Sequence, residues 1–393
     1  MRVLITDSDN RSALAATRSL GRAGYEIITA GERASSLAAV SRYCGRFVTC
    51  PSPIKDPDGF LATVMRTVEE HQVQLVLPMT EVTTLLLTQA RARLPSGCIL
   101  PFADEEAIRR ASDKAAMLAL AEKLAVPVPA SIEISRPSEI ELALPALHFP
   151  IVIKPGRSRV RTADGWLSTT VSYAADVSEL KHRLAKLSPE AYPILLQQRI
   201  VGPGVGFFAC YAHGKPVAFF AHQRLREKPP SGGVSVLRES RAIEPDALQY
   251  GTRLLEALHW HGVAMVEFKR DASTGKLYLM EINARFWGSL QLAIDAGVDF
   301  PQILARIAAG ETPTVAPHKV GVRSRWLLGD LDVLIMVLTR RRETLNLPPD
   351  FPSRARLLWD FLHFWRKDQR DEIFRWNDRG PGWFELRRWL RGR

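Results

Sequence analysis

The sequence predicts an α/β protein of two or three domains, and three observations support this. The chain has 393 residues, which exceeds the usual size of a single hydrophobic core. Strand-like runs such as RVLIT and QLVLPMT alternate with helical patterns over roughly the first hundred residues, which is typical of βαβ units and a parallel sheet. Farther along, ILLQQRIVGPGVGFFACYAHGKPVAFFAH predicts a strand, a glycine-rich turn and two antiparallel strands around His213-Gly214.

The N-terminal elements follow in order. RVLIT is a strand, and Asp9 or Ser8 caps a helix that ends near Gly24. YEIITA and QLVLPMT are further strands, and a helix runs from about Glu81 to Leu94 before GCILP. The turn after the first strand, TDSDNRS, lacks the G-x-G-x-x-G pattern, so dinucleotide binding is not supported there. We expect a scaffold domain whose loops, after VLIT and around Thr80-Glu81, contact a substrate.

Four further elements are predicted beyond this domain. A single long helix is expected from Asp104 to Ala125, and the prolines of VPVPASIEI end it. FPIVIKPG is a buried strand that ends at Lys154. Helices are expected at about Pro245–Leu258 and Pro301–Ala309.

Composition and charge limit the class of protein. Apolar residues make up 46% and charged residues 24% of the chain, as in a soluble globular protein. The four cysteines are scattered, no apolar run approaches roughly 20 residues, and the N-terminus lacks a signal-peptide pattern, so a cytoplasmic protein is expected. The net charge is +11, but residues 320–393 carry 16 Lys and Arg against 10 Asp and Glu, so the excess is concentrated in a tail.

The hairpin EFKRDASTGKLYLMEINARFWG contains the most informative side chains. If Arg270 and Lys276 flank the turn, Glu267 lies opposite Leu279 and diagonal to Glu281, on the same face of the sheet. The two carboxylates then converge on one or two cations.

The residues after Glu281 extend this set. Asn283 shares the face of Glu281 and adds a carbonyl oxygen, giving an oxygen-rich set that suits Mg²⁺ rather than zinc. Arg285 follows and is suited to bind phosphate in a bidentate manner. The alternative is that both acids form salt bridges with Lys269, Arg270 or Arg285 on a solvated face.

Basic residues elsewhere supply candidate phosphate ligands. Lys154 ends a strand and Lys114 lies on the long helix, although each alone is more typical of a surface residue. The loop after Lys154 carries three arginines, and a second loop combines arginines with a Gly pair whose amides can bind an anion. These residues are Arg157, Arg159, Arg161, and then Arg224, Arg226, Ser231, Gly232, Gly233 and Arg238.

In combination these segments resemble the ATP-grasp superfamily, specifically its carbamoyl-phosphate-synthetase-like and biotin-carboxylase-like branch. The resemblance covers about residues 1–309 and rests on SDK, VIKP, LLQQRIVGPGVG, and EF followed by LMEINARFWG. The most diagnostic part is the ending Glu…Glu-x-Asn-x-Arg. Two departures concern the hinge: Gln198 stands where the family usually has Glu, and Pro203 replaces an acid that contacts ribose. The loop after Lys154 is arginine-rich instead of glycine-rich, and no biotin-carboxylase-like catalytic lysine segment is evident.

The resemblance implies roles for particular residues. Lys114 and Lys154 would contact the α- and β-phosphates of ATP. The hinge residues Gln197, Gln198, Arg199 and Ile200 would hold the nucleotide, with Gln198 and Ile200 at the adenine. Glu267, Glu281 and Asn283 would bind two Mg²⁺ (or Mn²⁺) ions. Catalytic roles fall to Arg285 and Arg238, with Arg285 stabilising the transferred phosphoryl group or the acyl phosphate.

The resemblance also implies an architecture and an activity. Residues 1–103 would form a preATP-grasp α/β domain, 104–195 a linker helix and lid, 196–318 the nucleotide- and metal-binding subdomain with an antiparallel sheet, and 319–393 a basic, Trp-rich helical extension. The implied reaction is ATP-dependent ligation of a small carboxylate to an amine or thiol through an acyl phosphate, with release of ADP and phosphate. A homodimer is compatible with this assignment. The alternatives are a non-catalytic nucleotide-binding protein and, ranked lower, a nucleic-acid binder. The sequence does not identify the acid or the amine.

The C-terminal tail permits two interpretations. Its mixture of aromatic residues and arginines suits peripheral contact with an anionic membrane surface. The favoured alternative is a helical cap on the catalytic core, packed through Leu357, Leu358, Phe361, Phe364 and Trp365.

Overall fold

A four-stranded parallel sheet forms the N-terminal part of the chain. In this computed structural model, which describes residues 1–156, 159–162, 165–168, 171–230, 232–345, 347, 351–363 and 366–392, its strands are β1 (Arg2–Ile5), β2 (Glu26–Gly31), β3 (Arg46–Thr49) and β4 (Leu75–Leu77). They lie in the order β3-β2-β1-β4, and every neighbouring pair is parallel. The helices of this part are α1 (Arg11–Arg22), α2 (Pro57–Glu70) and α3 (Glu81–Gln89). The predicted βαβ pattern is therefore present.

Asp7, at the carboxyl end of β1, connects this strand to the start of α3. Its carboxylate accepts hydrogen bonds from the Met79 amide at 3.1 Å and from the hydroxyls of Thr80 and Thr83 at 3.1 and 2.6 Å. Thr80 also caps α3. These bonds fix the loops at the carboxyl edge of the sheet, where the sequence analysis expected substrate contacts.

The linker contains two helices, so the prediction of one helix from Asp104 to Ala125 is wrong. The structure has α4 (Glu105–Ser112) and α5 (Lys114–Lys123), separated by Asp113 in an extended conformation. The Asp113 carboxylate accepts a hydrogen bond from the Ala116 amide at 3.0 Å, because a short acidic side chain satisfies the free amides at a helix start. Lys114 is consequently the first residue of α5.

A second sheet, called the lid sheet below, lies mainly within the segment 104–195 that was expected to contain the lid. Its strands are β5 (Ser131–Ile134), β6 (Ile151–Pro155), β9 (Ser172–Ala174) and β10 (Ile194–Gln198), in the antiparallel order β5-β10-β6-β9, with β7 (Arg159–Thr162) and β8 (Gly165–Ser168) as a separate hairpin. Two short helices, α6 (Ile140–Ala143) and α7 (Val177–Leu184), accompany them. This region has its own hydrophobic core, which includes Ile153, Leu180 and Leu196.

A seven-stranded sheet follows. Its order is β15-β14-β11-β12-β13-β16-β17, and all neighbours are antiparallel except β16 and β17. The strands are β11 (Gly204–Ala212), β12 (Lys215–Lys228), β13 (Val234–Ser240), β14 (Gly262–Arg270), β15 (Leu277–Asn283), β16 (Arg323–Arg325) and β17 (Gln369–Asp371). The helices α8 (Pro245–Ala257), α9 (Leu290–Asp295) and α10 (Phe300–Ala308) agree with two of the predicted helices and add one.

The hydrophobic core of the N-terminal part continues into the seven-stranded sheet. Phe102, which precedes the linker, packs edge-on against Phe286, which follows β15, with ring centroids 6.2 Å apart. Buried residues of α1 and α10 belong to the same cluster. Strands β14 and β15 therefore share one hydrophobic core with the N-terminal sheet, whereas the lid sheet packs around a separate core.

The C-terminal extension is mainly helical, with α11 (Leu327–Thr339), α12 (Arg354–Leu362) and α13 (Gly380–Arg391), but it also supplies strands β16 and β17. Of the five apolar residues predicted to pack here, Leu357 is buried and Leu358 is 40% exposed. Phe361 packs against the small core of this region, while Phe364 and Trp365 lie outside the described residues. Among the described residues, no helix combines the length and apolar character needed to cross a membrane.

Candidate functional site

The two acids of the hairpin face each other directly. Glu267 on β14 pairs with Glu281 on β15, and not with Leu279 as the sequence analysis predicted. A register shift follows Glu267, so that Phe268 pairs with Leu279 and Met280 is the additional residue of a β-bulge. The bulge therefore makes Glu267 and Glu281 directly opposed residues of the ladder instead of diagonal neighbours.

Burial and neighbouring charges shift the pKa of Glu267. Burial raises the pKa of Glu267, Arg224 opposes that shift, and the like charge of Glu281 adds to it. Arg224 donates a hydrogen bond to Glu267 from Nη2 at 3.2 Å. The predicted alternative of salt bridges with Lys269, Arg270 or Arg285 therefore does not describe Glu267, which takes its charged hydrogen-bond partner from β12.

The residues after Glu281 form a chain of hydrogen bonds. Asn283 donates from Nδ2 to Glu281 Oε1 at 3.0 Å, and Arg285 donates from Nη2 to Asn283 Oδ1 at 3.1 Å. The two-residue spacing noted in the sequence thus produces a continuous polar row on one side of the hairpin.

The two predicted phosphate-binding lysines lie close to these acids. Lys154 donates a hydrogen bond to Gln197 Oε1 at 2.6 Å. Burial lowers the pKa of Lys154 to about 8, the charge of Glu281 opposes this shift, and the charge of Lys114 adds to it. The pKa of Lys114 is also lowered by burial, with Glu281 and then Glu81 opposing the change.

Lys114 lines a small cavity of about 30 Å³ together with Glu81, Glu281, Asn283 and Arg285. Its backbone amide donates to the carbonyl of Gly156 at 3.1 Å, directly after the strand that carries Lys154. Three separate parts of the chain therefore meet here: the start of α5, the end of β6 and the end of β15.

The predicted hinge residues lie between the lid and the large sheet, and they differ in environment. Gln197 is buried, and its Nε2 donates to Ser131 Oγ at 2.9 Å, whereas Gln198 is exposed. Ile200 is buried and its carbonyl accepts a hydrogen bond from Lys269 at 3.4 Å. The guanidinium of Arg199 lies 5.3 Å from the ring centroid of Tyr173.

A larger cleft of about 880 Å³ opens beside the acids. Glu267, Lys269 and Met280 line it, as does the chain at Gly202 and Gly206. Gly202 has a φ of +153°, and a Cβ there would lie 1.9 Å from the carbonyl oxygen of Arg270, so this turn requires glycine. The volume falls within the range of roughly 300–1,000 Å³ that is typical of small-molecule sites.

Arg238 has a different environment from the one predicted for a catalytic residue. Its side chain is 1% exposed and forms an ion pair with Glu372 of the C-terminal extension. Glu372 also accepts a hydrogen bond from Arg11 at 2.8 Å. Burial lowers the pKa of Arg238 to about 10, and the charge of Glu372 opposes that shift. The structure therefore gives Arg238 a protein partner and does not bring it into the row formed by Glu281, Asn283 and Arg285.

Other predicted phosphate ligands are only partly described. Arg157 and Ser231 lie outside the described residues, and for Arg159 and Arg161 the structure describes the backbone of strand β7 alone. Gly232 and Gly233 line the large cleft, as do Arg224 and Arg226.

The donor set fits a magnesium ion in its chemistry. Glu267, Glu281 and Asn283 offer carboxylate and amide oxygens, which are the ligands that Mg²⁺ prefers. Within the described part of the chain, no cluster of three or more His, Cys, Asp or Glu is arranged to hold a metal ion. An ion bound by these three residues would therefore complete its coordination with water and phosphate oxygens.

Two residues near the site, Lys269 and Glu372, were not predicted to take part in ligand binding, although Lys269 was named as a possible salt-bridge partner of the acids. Lys269 lies two residues after Glu267, so the period of a strand places it on the same face, and it lines the same cleft. Glu372, which contacts Arg238 and Arg11, is 134 and 361 residues away from them in the sequence. A strand period identifies the first residue, but no local pattern identifies the second.

Comparisons with known proteins agree with this architecture. Residues 193–329 match the family model described as ATP-grasp in the biosynthetic pathway with Ter operon. No curated protein matches the chain. Three solved structures illustrate the similarity, and at these identities the likeness concerns the fold.

The L-amino acid ligase of Bacillus licheniformis is 17% identical, with a TM-score of 0.60 over 80% of this chain and 77% of that one. An N5-carboxyaminoimidazole synthetase from Staphylococcus aureus is 13% identical, with a TM-score of 0.65 over 87% and 86%. Biotin carboxylase from Campylobacter jejuni is also 13% identical, with a TM-score of 0.65 over 82% and 74%.

Proposed function

This chain has the ATP-grasp fold, and from that premise we propose that it is an ATP-dependent ligase that joins a small carboxylate to an amine or a thiol. The reaction proceeds through an acyl phosphate and releases ADP and phosphate. The observation that carries the proposal is the direct pairing of Glu267 with Glu281 beside two half-buried lysines, Lys114 and Lys154.

That pairing is unfavourable, and Arg224 offsets the cost only in part, because the pKa of Glu267 stays raised. Like charges at directly opposed positions of a sheet repel each other, and burial increases the cost of leaving both ionised. A divalent cation between the carboxylates removes the repulsion, and the phosphates of the nucleotide offset the charges of Lys114 and Lys154. Acids and lysines together are thus complementary to MgATP.

The reaction requires positioning and charge neutralisation rather than a protein nucleophile. An oxygen of the substrate carboxylate attacks the γ-phosphorus of ATP, the bond to the β–γ bridging oxygen breaks, and ADP leaves. The amine or thiol then attacks the acyl carbon, loses its proton and displaces phosphate. Both steps move negative charge between oxygens, so fixed cationic groups lower the barrier.

The chain's own residues divide this work. Glu267, Glu281 and Asn283 would hold magnesium, which neutralises charge on the phosphate oxygens when it is bound. Lys154 is oriented by Gln197, and both Lys114 and Lys154 attract the α- and β-phosphates. Arg285, held in place by Asn283, binds the transferred phosphoryl group.

A non-catalytic nucleotide-binding protein is the second candidate. It shares the lysines and the hinge with the ligase, but it has no requirement for the complete row Glu281, Asn283 and Arg285. The two candidates differ in one measurable property, because only the ligase releases ADP in response to a second substrate.

The test is ADP release by the full chain with MgATP, screened across a panel of carboxylic acids and a panel of amines and thiols. We expect at least one acid to stimulate ADP formation, and its amine or thiol partner to increase the rate further. Binding of MgATP without stimulation by any pair would favour the non-catalytic candidate instead.

A further inference from the structure

The C-terminal extension forms one wall of the cleft of about 880 Å³ that contains Glu267. The opposite wall comes from strands β12 and β14 of the large sheet. Phe351, Arg356, His363 and Arg366 line the cleft from the extension. This segment therefore borders the cleft that contains Glu267, one of the proposed magnesium ligands, in addition to packing on the sheet.

The arginines of the sheet that line this cleft are held by internal carboxylates. Arg226 pairs with buried Asp330 at 2.7 Å, Arg224 pairs with Glu227 and Glu267, and Arg323 pairs with Glu239. These guanidinium groups already have fixed anionic partners within the protein.

Arg356 and Arg366 are held much less firmly. Arg356 pairs with Asp360 at 3.1 Å, one helical turn away, and its side chain is 69% exposed. Arg366 pairs with Asp368 at 3.4 Å and is 50% exposed. Exposed ion pairs of this kind contribute little, so either arginine can exchange its neighbour for an anionic group of a ligand at small cost.

From this arrangement we propose that Arg356 and Arg366 form a subsite for an anionic group of the ligase substrate, a carboxylate or a phosphate that does not itself react. The proposal rests on the proposed function, since it assigns the substrate class of that same cleft. A guanidinium presents a planar pair of N–H donors that matches a carboxylate or a phosphate, so the subsite selects substrates with a second negative group.

The direct test is equilibrium binding of two anions to the full chain, glutarate and inorganic phosphate, with neutral glutaramide as the matched compound. Titrations are carried out at constant ionic strength, both without nucleotide and with MgADP added to fill the proposed nucleotide site. The proteins are the wild type, the double variant Arg356→Gln/Arg366→Gln, and the control variant Arg306→Gln. Arg306 lies on α10 in an exposed pair with Glu311 and is absent from the lining of the cleft.

We expect the wild type and Arg306→Gln to bind glutarate or phosphate, and the double variant to bind that anion at least about tenfold more weakly, because charge-assisted hydrogen bonds are lost. Glutarate and phosphate distinguish the two ligand chemistries, and glutaramide is expected not to bind. Equal binding by the wild type and the double variant, or no binding of either anion by the wild type, would overturn the proposal. A failure of MgADP to bind would instead count against the proposed function, while the titration without nucleotide still reports on the anion subsite.

Discussion

At the scale of single residues, Lys154 has an unusually low pKa for a lysine. Burial lowers its pKa to about 8, and Glu281 is the main neighbour that opposes this shift. The ammonium group is therefore charged in neutral solution but loses its proton at a lower pH than an ordinary lysine. The affinity of the site for anionic phosphates should follow that protonation.

We expect the affinity for MgATP to fall as the pH rises above about 8. Below this pH the free protein already carries the proton, and above it the proton must be taken up on binding, which weakens binding by up to about tenfold per pH unit. Calorimetric titrations across this range measure the effect. Lys154→Met should bind more weakly and with a flatter profile, whereas Lys123→Met, an exposed substitution on α5, should retain the decline. An affinity that stays constant above pH 8 in the wild type would contradict this assignment.

At the scale of the elements, the position at which α5 begins determines where Lys114 lies. Asp113 ends α4 and caps α5, and this places Lys114 at the first turn beside Glu281. The sequence pattern predicted helix throughout because apolar residues recur with helical spacing on both sides of the break. An aspartate within such a pattern is compatible with either a continuous helix or a cap.

Asp113→Ala should lower the free energy of unfolding by about 1 kcal/mol and also weaken MgATP binding, because the cap that positions Lys114 is removed. Asp104→Ala is the matched control, since Asp104 caps α4 through the Ala107 amide at 2.7 Å. Urea denaturation should show a similar loss of stability for both variants, and titration should show weaker MgATP binding for Asp113→Ala alone. Equal MgATP affinity in the two variants would show that the Asp113 cap does not position Lys114 for nucleotide binding.

The hairpin illustrates what the sequence predicted about the site and what it did not. Both acids, Asn283 and Arg285 were identified from their spacing in predicted strands. The predicted register was wrong because a bulge inserts Met280 between the paired residues of β14 and β15, and strand alternation alone does not reveal an extra residue. Side-chain type was predictable, while the direct opposition of Glu267 and Glu281 was not.

At the scale of the whole molecule, the C-terminal extension is joined to the rest through a buried ion pair. Arg18 on α1 contacts Asp378 at 2.7 Å, and both side chains are at most 2% exposed. Ser41 donates to the same carboxylate at 2.7 Å.

Strands β16 and β17 are three residues each and polar, RSR and QRD, so no alternation in the sequence predicted them.

Asp378→Ala should reduce the free energy of unfolding by about 3–5 kcal/mol, because the guanidinium of Arg18 is left buried without its carboxylate. Asp368→Ala removes an exposed pair of the same extension and should cost at most about 1 kcal/mol. Urea denaturation of both variants measures the difference. Equal stability of the two variants would show that the extension is not anchored at Asp378.

The measurement that tests the central claim most directly is Mg²⁺-dependent ADP release by the wild type and by Glu281→Gln, with an acid and a partner that stimulate the reaction. Glu69→Gln, an exposed substitution on α2, is the control. If Glu281 and Glu267 bind magnesium together, the rate of ADP release by Glu281→Gln should fall at least about a hundredfold, while Glu69→Gln should match the wild type. ADP release that Glu281→Gln leaves unchanged, or that does not depend on Mg²⁺, would contradict the proposed mechanism.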